Sequence, residues 1–252
     1  MNDKARSYVY AILAHAALLL AWYLFVALGN VPRFVMPSPV DTLNALLQPN
    51  YSWWTNVLVT ATEIFGGYFL ALVGGVALAL VFTWSKPLES FFMPLLVSLN
   101  MIPKVALGPL IIVWFKYGVF PNTIMAFSIC VFPILLTTAR GLREVEPELL
   151  DLVKSLKGSR WQLFTKIQLP GALPYIFAGM KVAAILAVAG AIVGEFLGSD
   201  KGLGYLMLQV QVTLDTPAMF MAVILITLIG MILYGSVLFL EKLLVVKDAR
   251  IA

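Results

Sequence analysis

Long apolar runs separated by short polar breaks dominate the chain and predict membrane-crossing helices over about 8–28, 56–83, 88–115, 120–139, 174–198 and 217–240. Crossing about 30 Å of hydrocarbon takes roughly 20 apolar residues in a helix, and the runs have that length. The third is the least regular, because Pro94, Pro103 and Pro109 each remove a backbone donor. Breaks at membrane depth survive where protein or a water-filled cavity satisfies the freed groups. The third span is therefore expected to face the bundle interior, as one broken helix or as two half-helices. Gly67, Ala71 and Gly75 recur every four residues in the second span, as do Gly190, Gly194 and Gly198 in the fifth. Small residues at that spacing let helices approach closely.

Between the fourth and fifth runs, the segment 140–171 is the longest polar stretch, yet it is patterned. Leu142, Val145, Leu149, Leu152 and Leu156 step by three or four residues, with Glu144, Glu148, Asp151 and Lys154 between them. That spacing predicts an amphipathic helix lying against the bundle or a partner. Gly158 and Ser159 interrupt it, and Trp161, Phe164 and Ile167 continue as a second short apolar face that Leu169-Pro170 ends.

Charge then orients the chain. With both termini cytoplasmic, the inner segments hold Lys4, Arg6, Lys86, Arg140, Arg143, Lys154, Lys157, Arg160, Lys166, Lys242, Lys247 and Arg250, and the outer loops hold Arg33, Lys116 and Lys201. Cytoplasmic loops retain positive charge during insertion, so the segment 140–171 is cytoplasmic. Lys4 and Arg6 ahead of an apolar stretch resemble a signal peptide, but the stretch is too long for an ordinary hydrophobic region and no small-x-small site follows it. An uncleaved first helix is expected.

Composition excludes most other classes. Of 252 residues, 61% are hydrophobic and 12% charged, against about 25% charged in soluble domains. The net charge of +4 does not point to nucleic acid, since the basic residues cluster beside apolar runs. Cys130 is the single cysteine and His15 the single histidine, so neither a disulfide nor a metal-ligand set is expected. No catalytic residues are expected either, because no span carries a nucleophile–base pair or a carboxylate cluster. The fold class that follows is an all-α polytopic membrane protein of about six helices, a single domain over 1–252 containing the cytoplasmic loop 140–171.

The stretch DLVKSLKGSRWQLFTKIQLPGALPYIFAGMKVA (151–183) resembles the coupling loop of permease subunits of bacterial ATP-binding cassette importers. The signature there is Glu-Ala-Ala, three residues, Gly, nine residues, Ile, one residue, Leu-Pro. Asp151 falls at the Glu, Leu152-Val153 at the Ala pair and Lys157 at the Gly, while Ile167 and Leu169-Pro170 keep the closing spacing. The Ala pair and the Gly are lost, and Gly158 comes one residue late. MPSPVDTL (36–43), IPKVALGPLIIVWFKYG (102–118) and IVGEFLGSDKGLGYLM (192–207) look like the branch importing nitrate, sulfonates, taurine or thiamine-pyrimidine precursors.

The resemblance implies a type I importer permease in the bacterial inner membrane. Two permease copies, here expected as a homodimer, form the path. Two ATPase subunits accept the coupling loops, and a periplasmic or lipid-anchored binding protein delivers substrate. The chain has no Gly-x-x-x-x-Gly-Lys-Ser/Thr loop, so ATP and magnesium are expected on the partners and no cofactor on this chain. The coupling residues implied are Asp151, Lys157, Gly158, Trp161, Phe164, Ile167, Leu169 and Pro170. Trp161 and Phe164 are expected as anchors, since aromatic residues often dominate interfaces, unless they pack on the cytoplasmic ends of the spans. A stand-alone secondary transporter or channel is the alternative; it needs no docking loop and favours midplane carboxylate pairs or inverted repeats.

Lys104, Asn100 and Glu195 are candidates for the translocation path, with Gln209 and Gln211 behind them. An ionisable group at depth needs water, a carboxylate or freed carbonyls. Lys104 thus lines an electropositive path, or it satisfies broken-helix carbonyls or snorkels to an interface. Glu63 and Glu195, near the outer ends of their spans, meet the binding protein or gate the mouth, or simply sit exposed in headgroup water. His15 is expected as a hydrogen-bonded packing residue.

Overall fold

The computed structural model describes residues 3–145 and 147–245; Lys247 and Arg250, expected at the inner end, lie outside them. Among the described residues every regular element is helical. Helix α1 spans Asp3–Leu28, α2 Pro39–Asn44, α3 Trp53–Trp84, α4 Lys86–Met101, α5 Lys104–Phe115 and α6 Val119–Gly141. They are followed by α7 Pro147–Ser155, α8 Arg160–Leu163, α9 Leu169–Gly198, α10 Leu203–Val212 and α11 Thr216–Leu244. The helical courses 49–84, 119–141, 160–198 and 216–244 are each long and apolar enough to cross a membrane. The pair α4–α5 qualifies together but bends by 89°, and the apolar part of α1, Ile12–Leu28, is a shorter stretch.

The centre of the bundle is α6, held between α3 and α9, and small residues explain why it fits there. A Cβ placed on Gly67 would lie 2.5 Å from the Ala126 Cβ and 2.8 Å from the Thr123 carbonyl oxygen. From the other side, a Cβ on Gly190 would lie 2.7 Å from the Ala126 Cα, and one on Gly194 would meet Asn122. Ala126 is fully buried between the two glycines. Both stripes read from the sequence therefore face one helix, and the bulkier Ile64, Ile134, Leu135 and Ala-rich α9 fill the space around the contact.

The third span departs from expectation. It is two helices, but α4 has no buried residue and lies on the outside of this chain's bundle rather than in its interior. The backbone gives the reason. Ile102 is extended (φ −65°, ψ 125°) ahead of Pro103, as the residue before proline prefers, and α5 leaves at nearly a right angle. Lys104 Nζ donates to the Leu99 carbonyl at 3.0 Å, so the carbonyls freed by the break are partly satisfied within the chain. Arg143, just beyond α6, ties α4 back through an ion pair with Glu89, and α5 packs on the C-terminal end of α9, where Gly108 meets Leu197.

Between α1 and α3, the Ser38 side chain accepts from the Asp41 amide while the Asp41 side chain accepts from the Ser38 amide, capping α2 reciprocally. The Ser38 hydroxyl also donates to Asp41 at 2.7 Å and holds that carboxyl below the ordinary aspartate range. Trp22 Nε1 of α1 donates to the Pro37 carbonyl at 3.0 Å, and its ring meets Phe220 of α11. The turn before α3 is fixed by Trp53 Nε1, which donates to the Ala45 carbonyl.

If the α3–α6–α9 contact sets the bundle, Gly67→Ala and Gly190→Ala each overpack it at a cost of about 1–3 kcal/mol. Thermal unfolding of the purified protein is the check, with Gly171→Ala, where a Cβ meets nothing within 4 Å, expected to match wild type or exceed it.

Candidate functional site

The loop 142–168 begins where α6 ends with Leu142 fully buried. The expected amphipathic helix is α7, and its apolar face turns away from the bundle: Leu152 and Leu156 are 52% and 73% exposed. A backbone cap ends it. The Gly158 amide reaches back to the Val153 carbonyl at 2.8 Å and Lys157 is left-handed, with φ +52°. This is the Schellman arrangement, in which the left-handed position usually belongs to glycine. Lys157 therefore occupies the conformation that suits the signature's glycine. Gly158 answers a different need, since a Cβ there would lie 2.7 Å from Val153 Cγ1.

Ser159 then caps α8, accepting from the Gln162 amide at 3.2 Å while Gln162 Oε1 accepts from the Ser159 amide at 2.8 Å. The helical course does not end at Leu169-Pro170, as the sequence suggested. A π-turn over Phe164–Gln168 carries it on, with the Leu169 amide bonded to the Phe164 carbonyl, and Pro170 falls in the first turn of α9, where its missing donor is tolerated. The two aromatic rings touch, with 5.7 Å between centroids, but differ in exposure. Phe164 is 7% exposed and stacks edge-on against Trp84 at the C-terminal end of α3, whereas Trp161 is 65% exposed. Asp151 and Pro170 are exposed, and Ile167 and Leu169 half-buried.

The path candidates scatter. Asn100 is exposed near the end of α4, and Lys104 serves the Leu99 carbonyl. Gln209 and Gln211 are exposed on α10, with Gln209 Nε2 bonded to the Tyr205 hydroxyl. Glu63 and Glu195 do not sit in headgroup water: they are 0% and 1% exposed. Glu195 accepts from the Thr60 hydroxyl and from the Gly204 and Tyr205 amides at the start of α10. Glu63 accepts from Asn122 Nδ2 at 2.8 Å. Two further α10 contacts come from α3, where Asn56 and Thr60 receive the Gly202 and Leu203 amides, each at 2.8 Å. Amides at the start of α10 thus draw Glu195 inward, and the Asn122 side chain of α6 draws Glu63.

Sequence reasoning passed over α10 and a second buried charge site. Lys181 Nζ of α9 lies 3.4 Å from Glu241 Oε1 of α11, with side chains 15% and 6% exposed. The signal available was a lysine inside an apolar run, which needs a counter-ion.

A bundle of apolar helices with a capped, outward-facing amphipathic loop at one end is the architecture of the membrane subunit of a transporter. The family described as binding-protein-dependent transport system inner membrane component matches residues 71–246, and the chain belongs to it. The chain is similar to a probable ABC transporter permease of Haemophilus influenzae, 34% identical over 90% of this chain and 92% of that one. It is likewise similar to the riboflavin transport permease RibX of Chloroflexus aurantiacus, at 35% identity over 92% and 87%. The formylaminopyrimidine transport permease ThiX of Halalkalibacterium halodurans is 29% identical over 90% and 91%. An inward-facing structure of the MetNI methionine ABC transporter shares the fold, with a TM-score of 0.59 at 19% identity over 73% of this chain and 94% of that chain. The chain is accordingly a permease of the ABC importer class.

Removing one member of a buried pair strands the other, at about 3–5 kcal/mol. Lys181→Met is expected to lower the unfolding temperature of the purified permease, and adding Glu241→Gln to recover most of the loss.

Proposed function

We propose that this permease works as a homodimer, with one ATPase subunit seated on the α7–α8 loop of each copy. The observation that carries the reading is the uncovered apolar face of that loop. Exposed leucine and phenylalanine side chains along the spans have lipid to cover them, and those outside the spans, such as Leu47 and Leu214, lie away from the loop, in the segments next to α2 and α10. Leu152 and Leu156 lie beyond the spans and Trp161 at the very start of the helical course 160–198, on a capped turn, where a partner protein removes them from water. Trp161 is the expected centre of the contact, with Asp151 and Lys157 at its rim. Phe164, Ile167 and Leu169 act behind the surface, joining the loop to α3 and α9, so that a push on α8 reaches α9 through a continuous helical course.

ATP and magnesium belong to the partner in this reading, and this chain contributes no catalytic group. Arg140, Arg143 and Arg160 around the loop support a cytoplasmic placement and, with it, cytoplasmic termini in the bacterial inner membrane. A periplasmic or lipid-anchored binding protein delivers the substrate at the opposite face. The substrate is a small solute of the nitrate, sulfonate, taurine or pyrimidine-precursor class. In support, relatives bear the names of formylaminopyrimidine and aliphatic sulfonate permeases, the latter from Bacillus subtilis at 26% identity. A stand-alone transporter leaves the apolar face of α7 facing water without purpose.

Co-expression with the partner ATPase tests the reading. Trp161→Ala is expected to reduce co-purified ATPase about tenfold or more, the loss of a contact worth about 2 kcal/mol, with the unfolding temperature unchanged. Phe164→Ala is expected to lower the unfolding temperature instead, by removing a buried ring. ATPase retained in full by both Trp161→Ala and Leu152→Asp would remove the loop as the docking site.

A further inference from the structure

The buried carboxyl pair Glu63–Glu195 has no part in the docking loop and lies at the other end of α9. Its hydrogen bonds are unequal. Glu195 is saturated with donors: the Thr60 hydroxyl reaches Oε1 at 2.5 Å, and the Gly204 and Tyr205 amides reach Oε2. Glu63 has one donor, Asn122 Nδ2, on Oε1, and its Oε2 is buried with none. Thr60, one turn before Glu63 on α3, bonds Glu195, and Asn122, which holds Glu63, lies against Gly194, so the two carboxyls are neighbours. Among the described residues, neither has an ion-pair partner.

An ionised carboxylate only accepts hydrogen bonds, whereas a protonated one also donates. Two ionised carboxylates in contact inside the bundle would repel with no counter-ion to compensate. One proton resolves both problems when it sits on Glu63 Oε2 and is donated to Glu195. Glu195, already filled by donors, is the natural carboxylate, and it faces the start of a ten-residue helix whose amides favour negative charge.

We infer that Glu63 is held as a neutral carboxylic acid that donates to an ionised Glu195, and that this acid–carboxylate pair positions α10 against α3 and α9. The local chain is built for the contact. Gly202 has φ +110° and turns α10 onto the carboxyl, where any Cβ would collide with it. A Cβ on Gly204 would lie 2.9 Å from Glu195 Oε2. Past that point, Leu203, Leu206 and Val210 of α10 are buried, the last two against Ala45, Ala218 and Met221. Glu63 and Glu195 are positioning residues in this account, and α10 is an outer-side helix hung on one charge and one proton.

The substitutions Glu63→Gln and Glu195→Gln decide the matter because they are unequal under this inference. Glu63→Gln keeps an acceptor for Asn122 and supplies an N–H donor to Glu195, so the unfolding temperature of the full-length permease and hydrogen exchange at the α10 amides should match wild type. Glu195→Gln turns an amide N–H toward donors and discards the charge facing α10. It should lower the unfolding temperature by about 5 °C and accelerate exchange at 203–206. Infrared difference spectra give an independent reading: wild type minus Glu63→Gln should contain the carbonyl stretch of a neutral carboxylic acid, downshifted in deuterium oxide. Equal damage from both substitutions, a harmless Glu195→Gln, or a difference spectrum without that band would each overturn the inference. If Glu195→Gln fails to fold, the spectrum and the Glu63→Gln protein still decide.

Discussion

The close approach of α3 and α9 to the two faces of α6 is the contact on which the rest of the molecule depends. Lipid gives helices no hydrophobic reason to associate, so packing and buried polar contacts must supply it. Ala126 between Gly67 and Gly190 brings three backbones near enough for both. At that separation Asn122 reaches Glu63 from α6, while Thr60 reaches Glu195 across the gap between α3 and α9. The polar cluster around Glu195 exists because the small residues beside it let the helices close.

From the same trio the chain extends functional parts toward opposite ends. Toward one end, α9 continues through the π-turn and α8 into the loop, with Phe164 wedged beside Trp84 of α3. Toward the other, it stops at Gly198 and its Glu195 carboxylate collects the start of α10. One long helix thus touches both the proposed docking loop and α10, and Lys181 ties its N-terminal half to α11. A displacement delivered at α8 has a rigid element to travel along, flanked by contacts that resist sideways loss.

Much of this was legible in sequence because hydrophobic length and loop charge are local properties. The crossing helices, the break at Pro103 and the amphipathic α7 all rest on windows of a few turns. The misses share a cause in distance and context. Glu63 and Glu195 looked like separate helix-end carboxylates, since nothing in either segment reveals the other. Helix α10 is too short to register as a span, and its polar start gives no hint that α3 will accept its amides. Trp161 and Phe164 lie on one apolar face by spacing; only the position of Trp84 separates the exposed ring from the buried one. The outward placement of α4 was equally hidden, because a proline-broken helix satisfies its carbonyls wherever a lysine can reach them.

The central claim is that the α7–α8 loop is the surface through which the ATPase acts, at the opposite end from α10. Thiol crosslinking tests it directly, because Cys130 is the single native cysteine and is buried. Cysteines placed singly at Leu152, Leu156 and Gln209 would be crosslinked in membranes containing the co-expressed ATPase. Permease–ATPase adducts are expected from positions 152 and 156 and none from 209. Adducts from 209, with none from the loop, would contradict it.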